Sequence, residues 1–285
     1  MPIDYSISRW VRVVPARQWA REDEALEAAG AALPEIVLGS RALAEVHRLD
    51  LALFVIFEEA ALRVSGALTR RAPTVDALGF AAQQTLDEAR HHEMFRRRLD
   101  TARAAAGMGP AEALDAVLIP PLRAFIARCY EVADSGAFLE AMTLMNLLLE
   151  GMAYPLYAYE ERYWQPVDPF LANLVRSAFN DETRHTALGA AMVRSLVEDD
   201  PIMRARAARL CAEARGLLAE VFRYYVRKFV GLFDAVARRQ PEIFAGAEVA
   251  PGRRIADTPY EEQIAMIHAS IDAEHGRLLA RAGLA

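Results

Sequence analysis

The sequence predicts an all-α fold, and three observations favour it. Alanine, leucine, arginine and glutamate dominate the 285 residues, and all four are good helix formers. Only 15 glycines and 14 prolines interrupt the chain. Alternation of β-branched and polar residues over the length of a strand is almost absent, so the pattern offers no support for a sheet.

Prolines and glycines set the ends of the predicted helices, because proline cannot continue a helix and glycine commonly ends one. Pro73 marks one turn and the 164–169 loop another, and Pro155 lies inside a helix that we expect to bend there. The predicted elements are, in order, an irregular arm (1–17), helices over 19–32, 34–70 and 74–106, a shorter helix interrupted at 120–121 and ending near 135, and helices over 137–163, 169–198, 201–239 and 260–282, with an irregular segment over 241–259.

Composition narrows the classes of function. The chain is 54% hydrophobic with a formal charge of −6 and no run of like charge, which argues against nucleic-acid partners and a polybasic membrane patch. Its apolar stretches fall far short of the roughly 20 residues that span a bilayer. The first residues contain no apolar export signal, and two cysteines argue against a disulfide framework. We therefore expect a soluble, cytoplasmic protein that forms one domain over residues 1–285.

Two short segments repeat each other 94 residues apart, DEARH at 87–91 and DETRH at 181–185. Each contains Glu-x-x-His. On an α-helix, residues i and i+3 lie about 60° apart around the axis, so the carboxylate and the imidazole can bind one metal ion from one face. A single match arises by chance on many solvated helices, whereas two copies with the same flanking Asp and Arg indicate a metal site.

Two apolar helices each carry a glutamate, Glu58 after LFVIF and Glu150 after LLL. Burying an ionised carboxylate costs several kcal/mol unless a positive charge compensates it, and a metal ion would do so. Pairing with an arginine, or a place at the edge of a helix, is the alternative. Glu59 is a second candidate beside Glu58. We prefer Glu58, which shares its face with apolar residues, because Glu59 has Arg63 one turn further on.

Spacing along the chain brings these groups together. When two antiparallel helices hold two residues at the same height, the turn lies midway between them in sequence. The midpoint of Glu58 and Glu88 is Pro73, and Glu150 and Glu182 are likewise centred on the second turn. The segment between the two hairpins is too long for a tight turn and must be a crossover. This layout predicts a ferritin-like four-helix bundle with one long crossover and additional flanking helices. The bundle is expected over about 34–198 and the accessory helices over 199–285.

Over about residues 50–195 the sequence resembles the ferritin-like di-iron carboxylate proteins. DEARH and DETRHTALG are most similar to the bacterial multicomponent monooxygenase hydroxylases. The resemblance implies two iron ions, or one manganese and one iron, with dioxygen as co-substrate. It implies that the Asp before each Glu accepts a hydrogen bond from a metal-bound histidine and that the Arg before each His holds an Asp. The implied metal ligands are Glu58, Glu88, His91, Glu150, Glu182 and His185, and the implied supporting residues are Asp87, Arg90, Asp181 and Arg184.

The sequence also departs from these families. The chain is much shorter than the monooxygenase subunits, and Tyr154 stands four residues after Glu150, where they have a pocket threonine. Phe95 stands four residues after His91, where ribonucleotide reductase small subunits carry a radical tyrosine, which excludes a stable tyrosyl radical there. Since residues i and i+4 differ by about 40° around a helix, we expect Tyr154 to face the metal site and shape the substrate pocket. A core tyrosine bonded to a distant carbonyl is the alternative.

Two further groups of residues have more than one interpretation. His268, Asp272 and His275 follow one face of the last helix and form either an extra ligand set, a gate or an ordinary polar face. The side chains before Glu150 either line a substrate pocket or belong to the core. They are Met142, Met145, Asn146 and Leu147.

The predicted function is dioxygen activation by a non-haem di-iron centre that hydroxylates, N-oxygenates or oxidatively cleaves a small organic substrate. The sequence contains no flavin fingerprint and no cysteine cluster, so a separate reductase or ferredoxin has to supply electrons. An N-oxygenase or aldehyde-deformylating enzyme of the same bundle is the nearest alternative. Outside the oxygenases, a ferroxidase or iron-handling protein is the alternative. The oligomeric state is open, with a homodimer as one option.

Overall fold

The computed structural model describes residues 30–285. The predicted arm and most of the predicted helix over 19–32 lie outside these residues, and residues 30–32 are not helical. The helical elements of the described part are α1 (Glu35–Gly39), α2 (Arg41–Arg71), α3 (Val75–Ala105), α4 (Pro110–Asp115), α5 (Pro120–Ser135), α6 (Phe138–Met142), a π-helical segment (Thr143–Leu149), α7 (Glu150–Trp164), α8 (Pro169–Val197), α9 (Pro201–Arg239), two short 3₁₀ helices (Pro241–Phe244 and Ile255–Asp257) and α10 (Tyr260–Arg281).

Two helical hairpins form the bundle that positions the site. α2 and α3 form the first hairpin and α7 and α8 the second, with turns that contain Pro73 and Pro166 as the spacing predicts. Side-chain caps begin three of these helices, since Ser40, Thr74 and Asp168 each accept a backbone N–H of the first turn. The all-α bundle fold predicted from the sequence is confirmed.

The crossover and the flanking helices enclose this bundle. α4 and α5 connect the hairpins, and α5 packs against α2. α9 packs against α2 and α5, and α10 packs against α7. The apolar core is continuous through these contacts. Cys129 and Cys211 are both free and buried. In the part of the chain that the structure describes, no helix is both long and apolar enough to cross a bilayer.

Three predicted elements differ in detail. The helix expected over 34–70 is two helices, because Ser40 is extended and its side chain caps α2. The crossover helix is interrupted as predicted, but the break lies at residues 116–119, and Pro120 begins the second helix. The segment expected to be irregular contains a two-stranded antiparallel sheet, β1 (Glu248–Ala250) and β2 (Arg253–Arg254). Gly252 in its turn has φ of 72°, in the left-handed region that favours glycine.

The helix that leads to Glu150 contains a π-helical segment that the sequence did not predict. All seven residues of Thr143–Leu149 are buried. The N–H of Glu150 bonds to the carbonyl of Met145, five residues earlier, instead of four as in an α-helix. Such segments occur frequently at functional sites. The direction of Glu150 therefore depends on this local departure from α-helical geometry.

Candidate metal centre

All six predicted ligands converge in the middle of the bundle. They form two overlapping groups, and within each group the candidate ligand atoms lie within 4.8 Å of one another. None of the six is more than 3% exposed. Glu59 lies outside both groups and pairs with Arg63 on a largely exposed face. The first group is Glu58, Glu88, His91 and Glu182, and the second is Glu88, Glu150, Glu182 and His185.

Both histidines turn the same ring nitrogen toward the carboxylates. Nδ1 of His91 lies 3.6 Å from Glu58 Oε2 and 3.6 Å from Glu88 Oε2. Nδ1 of His185 lies 3.1 Å from Glu150 Oε1 and 3.3 Å from Glu88 Oε1. Glu88 and Glu182 are within reach of both imidazoles, because each belongs to both groups. The cluster therefore has an approximate two-fold arrangement around these two glutamates.

The opposite ring nitrogens bond to aspartates, and the pairing crosses between the motifs. Nε2 of His91 lies 3.2 Å from Asp181 Oδ2, and Nε2 of His185 lies 3.1 Å from Asp87 Oδ2. Each aspartate thus supports the histidine of the other helix. This exchange links α3 to α8 and fixes both rings, since a bonded Nε2–H leaves Nδ1 free to act as a ligand.

The two aspartates have different neighbours. Arg184 forms an ion pair with Asp181. Arg90 is half-buried, which lowers its pKa, and the charge of Asp181 acts against this lowering. Both arginines of the repeat thus lie near Asp181. Asp87 accepts a hydrogen bond of 2.9 Å from Gln83 Nε2, a residue that the sequence analysis did not select.

The charges of the cluster are unbalanced. Burial raises the pKa of Glu58 to about 8, and burial likewise raises the pKa values of Glu150 and Glu182. Burial also acts to raise the pKa of Glu88, but the nearby imidazoles of His91 and His185 outweigh it and lower that pKa below its usual range. Four glutamates face one another with only two imidazoles between them. A cation at this point would remove the electrostatic cost of burying them.

The donor set fits metal ions. Four buried atoms of the cluster have no hydrogen-bond partner: both carboxylate oxygens of Glu88, Oε2 of Glu182 and Nδ1 of His91. Buried polar atoms are nearly always partnered in folded proteins, so four orphaned acceptors in one place need an explanation. Carboxylate oxygens and imidazole nitrogens together suit iron or manganese.

Three polar side chains hold the glutamates in place. Gln84 donates to Glu150 Oε1, and Asn146 Nδ2 donates to Glu150 Oε2 at 2.9 Å. Tyr157 donates to Glu58 Oε1 at 2.8 Å. Asn146 was among the side chains before Glu150 that had two interpretations, whereas Gln84 and Tyr157 were not predicted from the sequence. Gln84 precedes Glu88 by one helical turn, which is a signal that a search along the ligand face would have found.

Tyr154 was expected to face the metal site and shape the substrate pocket, but it is not among the residues that line the apolar cavity beside the candidate ligands. Its ring stacks on Phe179 with the ring centroids 4.6 Å apart. Position i+4 turns about 40° to one side of Glu150, whereas position i+7 lies about 20° to the other side. The first direction leads to Phe179 on α8, and the second brings Tyr157 to Glu58 on α2. Tyr157 therefore takes the position that was expected for Tyr154.

An apolar cavity adjoins the cluster. About 80 Å³ of it is open to the centres of water-sized molecules. Four of the six candidate ligands line it, and most of the remaining wall is aliphatic or aromatic. Met142, Met145, Asn146 and Leu147 are not part of its wall. The three apolar residues belong to the core, whereas Asn146 holds Glu150. The lining includes Leu49, Asp50, Leu53, Phe54, Phe57, Ala61, Leu149, Ala153, Leu156, Tyr157, Tyr159, Glu160, Leu218, Phe222, Tyr225, Val226 and Phe229.

The polar residues of the last helix lie elsewhere. His268, Asp272 and His275 line a groove between α9 and α10 together with Arg215, and none of them joins the two metal groups. His275 is 3% exposed, and its ring bonds to the backbone carbonyl of Leu148 in the π-helical segment. Burial lowers its pKa to about 4, so this histidine is neutral at pH 7.

No protein-family model matches the chain. No curated protein matches it either. Several solved structures are similar to the chain. A variant of an R2-like ligand-binding oxidase with an aerobically reconstituted Fe/Fe cofactor superposes with a TM-score of 0.59 at 17% identity, covering 95% of this chain and 94% of that chain. A second variant, with an aerobically reconstituted Mn/Fe cofactor, has a TM-score of 0.56 at 16% identity, covering 95% of both chains.

A third solved structure is similar over most of the chain. It is a protein with aldehyde deformylating oxidase activity from Synechococcus, with a TM-score of 0.53 at 18% identity, covering 86% of this chain and 99% of that chain. At sequence identities of 16 to 18%, the structural similarity shows the fold. The chain therefore has the ferritin-like fold that the sequence resemblance implied.

Proposed function

We propose that the chain is a dioxygen-activating oxidoreductase that holds two metal ions, Fe/Fe or Mn/Fe, and oxidises a small organic substrate. The observation that carries this proposal is the buried cluster of four glutamates and two histidines, short of positive charge and open to an apolar cavity. Solved structures of similar fold support it, since two of them carry Fe/Fe or Mn/Fe cofactors and a third has aldehyde deformylating oxidase activity.

Each half of the cluster would hold one ion. Glu58 and His91 would hold the first, Glu150 and His185 would hold the second, and Glu88 and Glu182 lie within reach of both groups. Two such ions supply the redox chemistry by which dioxygen is activated.

The protein side chains position this centre. Asp87 and Asp181 accept the Nε2 protons and so keep each Nδ1 turned toward the glutamates, where it could bind a metal ion. Gln84 and Asn146 donate to the two oxygens of Glu150 and fix the orientation of its carboxylate. Tyr157 donates to Glu58 and also lines the cavity, so its hydroxyl stands where the ligands meet the substrate space.

The cavity positions the substrate and excludes water. Its apolar wall suits a slim apolar molecule and disfavours bulk water. Inserting one oxygen atom from O₂ into a C–H bond consumes two electrons and two protons, and the second oxygen atom leaves as water. The electrons come from a separate reductase or ferredoxin in this proposal, since the sequence contains no flavin fingerprint or cysteine cluster.

A specific observation favours an organic substrate over iron handling alone. α9, which lies outside the four-helix bundle, contributes Leu218, Phe222 and Phe229 to the cavity wall. A ferroxidase needs only the bundle, whereas an additional helix that closes an apolar cavity beside the metals is what a substrate pocket requires. Oxidative removal of an aldehyde group is the second candidate reaction, because the third solved structure has that activity.

The experiment is substrate-dependent oxygen consumption. Protein loaded anaerobically with Fe(II) is exposed to O₂ with a chemical reductant and a panel of apolar alcohols, amines and aldehydes, and products are identified by mass spectrometry. We expect oxygen uptake that rises with one class of substrate and a product carrying oxygen from ¹⁸O₂. Oxidation of the bound iron with no effect of any substrate would overturn the proposal in favour of a ferroxidase.

A further inference from the structure

The apolar cavity has a second polar end, far from the metal cluster. Asp50 on α2 and Glu160 on α7 both line it. Asp50 precedes Glu58 by eight residues, and Glu160 follows Glu150 by ten. With a rise of about 1.5 Å per residue, these positions lie about 12 to 15 Å from the cluster along the helices. The cavity therefore joins two groups of carboxyls through an apolar middle.

The two carboxyls at this end share a proton. The Asp50 side chain is hydrogen-bonded to Glu160, and it also accepts a hydrogen bond of 2.6 Å from Trp164 Nε1. Two carboxyls can bond to each other only if one is protonated. Burial raises the pKa of Glu160 well above its usual range, and burial raises the pKa of Asp50 to about 7. The pair therefore holds one proton between its two carboxyls, and it carries a single negative charge when the other carboxyl is ionised.

The pair is incompletely satisfied. Oε2 of Glu160 is enclosed and accepts no hydrogen bond from an N–H group or a hydroxyl, although the rest of the side chain keeps some exposed surface. Among residues 30–285, neither carboxyl forms an ion pair with a lysine, arginine or histidine. The neighbours in the cavity wall, Leu49 and Phe229, are apolar. A buried acid pair with an open acceptor and no counter-ion is incomplete until a hydrogen-bond donor arrives.

We propose that Asp50 and Glu160 form the head-group site of the substrate and that this head group is a primary amine, bound as the ammonium ion. This inference rests on the proposed function and names its substrate class. An ammonium ion has three donor hydrogens and one positive charge, so it can bond to Asp50 and to the open Glu160 Oε2 while neutralising the charge of the pair. An alcohol has one donor and leaves the charge uncompensated, and a carboxylate is repelled.

The length of the cavity sets the shape of the substrate. An aliphatic chain of about ten carbons spans about 12 to 15 Å, which is the separation between the acid pair and the cluster along the helices. With its nitrogen held at Asp50, such a molecule presents a chain carbon to the metal site. The site therefore selects oxidation of a carbon remote from the amine, and it disfavours N-oxygenation.

The test measures binding and does not need turnover. Decylamine, decan-1-ol and decanoate are titrated by calorimetry into the full chain, both metal-free and loaded with Fe(II). We expect decylamine to bind at least tenfold more tightly than decan-1-ol, and decanoate to bind most weakly. Asp50→Asn and Glu160→Gln should each remove the preference for the amine while decan-1-ol binds as before. Asp272→Asn, which changes an exposed carboxyl outside the cavity, should leave all three affinities unchanged.

Retained binding of decan-1-ol shows that a variant has kept its cavity, and Glu160→Gln provides a second variant if Asp50→Asn fails to fold. Equal affinity for amine and alcohol in the wild type, or an amine preference that survives both substitutions, would overturn the head-group assignment. The two proposals fail separately. Tight amine binding without metal-dependent oxygen consumption contradicts only the proposed function, and oxidation of alcohols without an amine preference contradicts only the head-group site.

Discussion

Two buried polar clusters in the same bundle are built on opposite plans. The first is the cluster of candidate metal ligands. The second, near the turn between α7 and α8, consists of His47, Arg98 and Asp168, whose side chains are all fully buried. Asp168 Oδ2 accepts hydrogen bonds from His47 at 2.7 Å and from Arg98 at 2.6 Å. Its Oδ1 accepts the N–H of Leu171 and caps α8.

The difference lies in the balance of charge. In the second cluster one guanidinium stands against one carboxylate, and both carboxylate oxygens have partners. Those partners lower the pKa of Asp168 although its burial acts to raise it. In the first cluster four glutamates surround two imidazoles, and several of their atoms have no partner. In the second cluster His47 Nδ1 and Arg98 Nε also have no partner, but the carboxylate is matched by a guanidinium and both its oxygens are bonded, so the cluster holds the fold together without a further ion. The first cluster has no such permanent positive charge, so it needs a cation. Burial alone therefore does not identify a site.

Removal of both histidines of the repeat should have the largest effect. The wild type is expected to bind about two iron ions per chain when loaded anaerobically with Fe(II), and the double variant His91→Ala with His185→Ala should bind none, because each ion loses its nitrogen ligand. Elemental analysis after gel filtration measures this. The matched control is His47→Ala, since His47 is an equally buried histidine that belongs to the balanced cluster. Iron retained by the double variant would refute the site.

Disruption of the balanced cluster should reduce stability without affecting metal binding. Arg98→Met leaves Asp168 buried beside His47 without its permanent positive partner, and we expect a loss of about 3 to 5 kcal/mol in the free energy of unfolding. Denaturant titration of the metal-free protein measures this loss. Arg63→Met, which breaks the exposed pair with Glu59, should change stability by less than about 1 kcal/mol. If Arg98→Met changed the iron stoichiometry, the two clusters would not be independent.

His275 is a third kind of buried titratable group, one that stays neutral in the folded protein. Its pKa is lowered from the ordinary 6.5 to about 4 by burial, so the folded protein resists protonation of the ring. The contribution of His275 to the free energy of unfolding is fully present above pH 6.5 and is lost as the pH falls toward 4. This loss amounts to about 3 kcal/mol at pH 4, since one pKa unit corresponds to about 1.4 kcal/mol.

His275→Asn keeps a donor for the Leu148 carbonyl but cannot titrate in this range. Denaturant titrations at several pH values between 7 and 4 should therefore show a shallower loss of stability in this variant than in the wild type. Identical slopes would mean that His275 titrates normally in the folded protein.

Substitution of the supporting aspartates should have the smallest effect. Asp87→Ala or Asp181→Ala should weaken metal affinity by about 10- to 100-fold while leaving the fold intact, because such partners orient the ligating imidazoles. Competition with a chelator of known affinity measures this. The crossed pairing sharpens the prediction, since loss of Asp87 should perturb His185 and loss of Asp181 should perturb His91. NMR of the imidazole nitrogens would distinguish this crossed pattern from an uncrossed one, in which each aspartate would support the histidine of its own helix.

The sequence predicted the parts of the site that follow from helical periodicity. The Glu-x-x-His spacing and the centring of Glu58 and Glu88 on Pro73 depend only on helix geometry and turn position. It could not predict which aspartate meets which histidine, because that depends on how α3 packs against α8. Tyr157 was missed for a similar reason. A difference of about 60° around one helix separates it from Tyr154, and only the neighbouring helices decide which of the two reaches the ligands.

The π-helical segment before Glu150 makes the effect of a deletion depend on where it falls in this helix. A π turn accommodates one residue more than an α turn, so the helix on either side of Thr143–Leu149 keeps nearly the same rotation that it would have without the extra residue. Removing one residue from this segment would let it close as a regular α-helix and would leave Glu150 in the cluster. Removing one residue from the regular helix after Glu150 would instead rotate every later residue of α7, Tyr157 among them, by about 100°. Single-residue deletions should therefore be tolerated better within the π-helical segment than within α7.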